Sequence, residues 1–69
     1  MSRRPSWIRE GERVLDPARD CEGIIQFVGE WVDPITRRTI PEAIFLRPEG
    51  GGREWVVVDH QALRQADAR

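Results

Sequence analysis

Four short apolar runs, each closed by turn residues, limit what this chain can fold into. They are Gly11-Glu12-Arg13-Val14-Leu15-Asp16, Glu22-Gly23-Ile24-Ile25-Gln26-Phe27-Val28, Glu42-Ala43-Ile44-Phe45-Leu46-Arg47 and Arg53-Glu54-Trp55-Val56-Val57-Val58. Runs of this length, rich in β-branched residues and bounded by Gly, Pro and Asp, suit a pleated, largely antiparallel sheet. No segment before residue 60 repeats with a helical period, so the expected class is all-β.

The connections sharpen that reading. Gly11 turns the chain into strand one, and Asp16-Pro17-Ala18-Arg19-Asp20 is a loop because Pro17 lacks the amide donor a ladder needs. Gly23 inside strand two marks a bulge or a close backbone approach. Between Gly29 and Pro41, the β-formers Trp31-Val32 and Thr39-Ile40 flank an Asp33-Pro34 turn symmetrically. That pattern predicts a hairpin arm with Arg37 and Arg38 at its tip. Gly50-Gly51-Gly52 is a hairpin turn, since consecutive glycines take positive φ at little steric cost. Asp59-His60-Gln61-Ala62 suits a single helical turn capped by Asp59, with Leu63 returning to the core.

With 69 residues there is room for one domain, and a chain this short buries only about 60% of its unfolded surface. A deep catalytic cleft is therefore not expected. The expected organisation is a loose tail over residues 1–6, a barrel domain over 7–65 and a frayed end over 66–69. Trp7 and Ile8 are too apolar for open solvent and are expected to fold back over one end of the barrel.

Charge and cysteine usage bound the functional class. Charged residues make up 33% of the chain, yet the formal net charge is -1, so no global field drives it onto DNA or an anionic membrane. All 11 basic residues are arginines, a bias expected of a high-GC bacterium, and each offers a planar fork for carboxylate or phosphate. Cys21 is alone, which excludes an intramolecular disulfide and favours a reducing cytoplasm. No apolar run reaches the roughly 18 residues needed to cross a bilayer.

Strict alternation along the strands assigns Val14, Ile25, Phe27, Ile44, Leu46, Trp55, Val57 and Leu63 to the core. Ile24, Val28, Phe45, Val56 and Val58 then point outward, a surplus of apolar surface for so small a domain. Either the Trp7-Ile8 segment and the arm around Trp31, Val32, Ile35 and Ile40 cover that face, or a protein partner or second copy does. In the second case Trp31, Phe45, Arg47, Val56 and Val58 form the binding surface, because aromatic residues and arginine dominate interface energetics.

A nucleic-acid site is the alternative. Arg3, Arg4, Arg37, Arg38 and Arg53, with Arg47 beside them, are the candidate phosphate contacts, with Trp31 or Phe45 for base stacking. Glu30, Asp33, Glu42, Glu49 and Glu54 interleave with those arginines, so solvated ion pairs are the competing outcome.

The catalytic inventory is thin. His60 and Cys21 are single and lie in separate connections, with no second ligand spaced for a metal. The glycine triplet runs from strand to strand rather than into a helix, so it is no phosphate loop. No enzyme activity, cofactor, metal or small-molecule substrate is expected.

Five short strands with a one-turn helix before the last resemble the SH3-like small β-barrels. Within that class, the spacing of Gly11-Glu12-Arg13-Val14, Glu22-Gly23-Ile24-Ile25 and Ile44-Phe45-Leu46 resembles the KOW and Tudor-like domains. The run Leu46-Arg47-Pro48-Glu49-Gly50-Gly51-Gly52-Arg53-Glu54-Trp55, with Asp59 and Leu63, looks like small actinobacterial proteins of this type. The resemblance covers roughly residues 11–65 and implies a five-stranded SH3-like barrel that binds RNA, ribosomal sites, RNA polymerase or other proteins. The slightly acidic balance, the absence of lysine-rich loops and the long arm at 30–41 depart from the ribosomal members.

Overall fold

The computed structural model describes residues 4–66. Five strands form one antiparallel sheet: β1 (Arg13–Asp16), β2 (Cys21–Val32), β3 (Thr39–Pro48), β4 (Trp55–Val57) and β5 (Arg64–Gln65). The order across the sheet is β4-β3-β2-β1-β5, so β1 to β4 make a meander and β5 returns beside β1. A 3-10 turn, His60–Ala62, precedes β5. The all-β class and these elements match expectation, but the ladder stays open because β4 and β5 are not hydrogen-bonded to each other.

The turns form where their residues demand them. Gly50, Gly51 and Gly52 all take positive φ (90°, 97° and 127°) between β3 and β4, a region side chains avoid. The Asp59 carboxylate accepts from the Gln61 amide at 2.9 Å and caps the 3-10 turn. At the far end of β2, Trp31 pairs with Ile40 and Val32 with Thr39, which builds the expected arm. Its tip is closed by the Asp33 amide donating to the Arg38 carbonyl (2.9 Å) and the Arg37 amide donating to the Asp33 carbonyl (2.7 Å).

Ile8, Val14, Ile25, Ile44, Leu46, Trp55, Val57 and Leu63 form the buried core, with Trp7, Cys21 and Val28 packed against it. Ile8 is among the most completely buried side chains, so the segment before β1 is a structural part of the core.

Two expectations from strict alternation are overturned. Phe27 is not in the core but 47% exposed, and Val28 turns inward rather than outward. The cause is a register shift: Ile25 pairs with Leu46, but Phe27 pairs with Phe45, so Gln26 is an extra residue on β2. A bulge of one residue exchanges the two faces for everything beyond it.

Gly23 answers the second half of its expectation. A Cβ there would stand 2.8 Å from Cη2 of Trp55 and 3.2 Å from the Arg47 carbonyl oxygen. The glycine admits the Trp55 ring, and the bulge lies elsewhere.

Candidate functional site

The bulge at Gln26 creates the most distinctive surface of the molecule. Beyond it, Phe27 on β2, Phe45 on β3 and Val56 on β4 lie in one cross-strand row, because Phe27 pairs with Phe45 and Phe45 with Val56. The Phe27 and Phe45 rings stand 5.7 Å apart, tilted by 59°. Trp31 meets Phe45 edge-on at 6.3 Å and 89°. The Trp31 contact brings a ring edge toward a ring face, the arrangement favoured by the aromatic quadrupole, and both centroid spacings fall in the range of aromatic pairs. The Phe27 ring also lies over Gly29, where an added Cβ would meet its Cζ at 2.5 Å. The patch is thus an ordered aromatic cluster on the side of the sheet opposite the core.

A charged row borders it. Arg13 pairs in register with Ile24, and Ile24 with Arg47. Arg13 is occupied by Glu22 (Nη1 to Oε1, 3.6 Å) and Glu49 (Nη2 to Oε2, 3.7 Å). Among the described residues no carboxylate lies within ion-pair distance of Arg47. An open groove of about 420 Å³ runs beside this row, lined by Ile24, Gln26, Arg47, Pro48, Glu49, Gly50 and Gly51.

Of the residues expected to bind a partner, Trp31, Phe45 and Val56 therefore come together, and Arg47 stands at their rim. Val58 lies past the end of β4 and is 54% exposed. Phe27 belongs to the same surface, although alternation assigns it to the core. No local signal announces the bulge that moves it.

The expected phosphate contacts are dispersed. Arg37 and Arg38 sit at the arm tip, where Arg37 holds a left-handed backbone with φ of 63°. Arg4 reaches Glu42 at 3.9 Å, and Arg53 follows the glycine turn. Arg3 lies outside the described residues. Asp33 anchors the tip: its carboxylate accepts from the Ile35 amide at 2.9 Å, which with the Thr36 hydroxyl and amide holds its pKa below the usual 3.8 against a smaller opposing effect of burial.

One polar constellation has no counterpart in the sequence reading. Asp16 is only 4% exposed, and its carboxylate accepts from the Trp55 indole (Nε1 to Oδ2, 2.9 Å) and the Ala18 amide (3.1 Å). The Arg19 guanidinium carbon lies 4.9 Å from the Trp55 ring centroid. Among the described residues no buried side-chain nitrogen or oxygen lacks a hydrogen-bond partner, and this carboxylate serves as a structural link between β1 and β4.

Among the described residues no group of three or more His, Cys, Asp or Glu side chains could hold a metal ion. None of their helices is long and apolar enough to cross a membrane. Comparison of the chain with protein-family models, curated proteins and solved structures finds no match.

Proposed function

We propose that this chain is a non-enzymatic interaction module of the SH3-like small-barrel type that docks protein through its outer aromatic face. One observation carries the reading: Phe27, Phe45, Val56 and Trp31 form a contiguous apolar patch on the solvent side of the sheet, with the unpaired Arg47 at its rim. Organised aromatic patches beside a free arginine are the composition of interaction hot spots. The strand order and the 3-10 turn before β5 support the SH3-like assignment. Solitary Cys21, packed against the core, is compatible with work in a reducing cytoplasm.

The test is affinity capture from the native host with three baits: wild type, Phe45→Ser and Val58→Ser. A partner lost with Phe45→Ser and retained with Val58→Ser supports the patch. A partner held equally by all three baits overturns it.

A second reading is favoured by the arm tip, where Arg37 and Arg38 have no carboxylate within ion-pair distance among the described residues. In that reading the module binds nucleic acid in the manner of KOW domains. Titration with single-stranded RNA and duplex DNA at two salt concentrations decides it. Phosphate binding must weaken steeply with salt, and Arg37→Ala with Arg38→Ala must flatten the slope by about 2 in log-log units. No binding at low salt removes this reading.

A further inference from the structure

Among the described residues the sheet has one long edge without a backbone partner, and it adjoins the aromatic face. β1 pairs with β2 only as far as Ile24. The last bonds on that side are the Ile25 amide to the Glu12 carbonyl (2.9 Å) and the Gly11 amide to the Ile25 carbonyl (2.8 Å). At Gly11, with φ of 88°, the chain turns away toward the buried Ile8. From Phe27 to Val32, β2 then has a backbone partner on the β3 side alone among the described residues.

The other edge of the same arm is protected. Pro41 lies at the second register break, between the pairs Gly29–Ala43 and Trp31–Ile40. A missing donor and a bulge are two of the devices that keep edges from pairing. The free edges of β4 and β5 are three and two residues long, and shortness is another such device. From Phe27 to Val32, beyond the Gln26 bulge, the β2 edge has no proline and no extra residue, and Glu30 is its one charged side chain. Three of the four large hydrophobic residues most exposed among the described residues, Phe27 (47%), Val32 (55%) and Ile35 (90%), lie on this strand or its turn.

We infer that the occupant of this edge is a second copy of the chain, paired β2 to β2 in antiparallel register about Gly29. This inference rests on the interaction-module reading and names its partner. The register follows from charge and side-chain direction. Centring on Gly29 sets Phe27 opposite Trp31 of the second copy, and Val28 opposite its Glu30. Centring on Glu30 would oppose two carboxylates, which is unfavourable in a directly opposed pair. Centring on Val28 would run the ladder into the Gln26 bulge. An axis between two residues would set the outer face of one copy beside the inner face of the other. A Trp31 centre also avoids opposing like charges but leaves only three opposed strand residues, so the Gly29 register is the longest that joins both aromatic patches into one continuous surface. The net charge of -1 adds little repulsion between copies.

The pairing is short. Five opposed residues make roughly 17 Å of ladder at about 3.4 Å each. A single strand pair that short buries much less than the about 800 Å² per partner of a standard stable interface, so the dimer forms and dissociates with concentration.

Sedimentation equilibrium of the full chain from ~10 μM to ~1 mM tests this, a range that brackets a weak interface of this size. The mass is expected to climb from 8.0 kDa toward twice that value. Trp31→Lys, which alters the arm and leaves the core intact, is expected to hold the mass at 8.0 kDa. In a mixed-isotope sample, filtered NOEs are expected between the Phe27 ring of one copy and the Trp31 indole of the other. A constant monomer mass overturns the inference, and so does a dimer without those NOEs. If the wild type stays monomeric while Phe45→Ser abolishes capture of a host protein, the dimer falls and the interaction reading stands. If capture ignores the face as well, both fall.

Discussion

The Trp55 indole on β4 donates to the Asp16 carboxylate at the end of β1 across 2.9 Å, joining two strands that β2 and β3 separate in the sheet. The backbone leaves the sheet open, and this side-chain bond spans the opening in its place. The ring passes over Gly23, and Arg19 stacks on it from outside. Asp16 and Trp55 are 39 residues apart, so the bond ties the first strand to the last hairpin.

Asp16→Ala should therefore cost more than its single hydrogen bond. It leaves the indole N–H and the Ala18 amide without their acceptor, a loss of about 2 kcal/mol for a charged, buried acceptor. For a domain of this size each kcal/mol lowers Tm by roughly 4–8 °C. Asp16→Asn retains an acceptor and should lose less. Urea unfolding of the three proteins checks the order, and equal stability of Asp16→Ala and wild type would contradict it.

Two glycine substitutions should separate sharply. At Gly23 the added methyl meets the buried Trp55 ring and the Arg47 backbone, neither of which can retreat, so Gly23→Ala should destabilise by about 1–3 kcal/mol. At Gly29 it meets only the half-exposed Phe27 ring, which can swing away. Gly29→Ala should leave stability within about 1 kcal/mol and move the Phe27 ring resonances instead. Thermal melts with aromatic NMR spectra read both, and a larger loss at Gly29 would be inconsistent with the packing.

Ile8 precedes every strand yet is almost wholly buried. Ile8→Ala should cost about 2–5 kcal/mol, in the range of a strand core residue such as Ile44. Denaturant titration of Ile8→Ala beside Ile44→Ala provides the comparison. A cost under 1 kcal/mol would mean that the segment merely rests on the sheet.

Asp33 should titrate below 3.8 by carboxyl carbon NMR, because the Ile35 amide and Thr36 donate to its ionised form. With the folded pKa depressed, the tip's stabilisation is complete above the unfolded value and disappears as pH falls through the folded one. Thr36→Val should raise the midpoint. A wild-type midpoint at or above 3.8 would rule out the turn geometry.

Local chemistry made much of the fold legible. The glycine triplet, the Asp59 cap and the symmetric flanks of the arm act within a few residues, and each sits where its own residues demand. The aromatic face was legible only in part. Phe45, Arg47 and Val56 follow from alternation and Trp31 from its place in the arm, but Phe27 does not, because Gln26 becomes an extra residue only through β2's pairing with β3.

The chain's own residues determined the strands, the turns between them and the presence of more apolar positions than one thin core can hold. Period-two alternation and turn chemistry are local, and they act whatever the neighbouring strand does. The tertiary structure decided which face Phe27 and Val28 occupy, that Ile8 completes the core, and that Asp16 receives the Trp55 indole. Each of these depends on the register between strands distant in the chain, and a shift of one residue exchanges inside for outside.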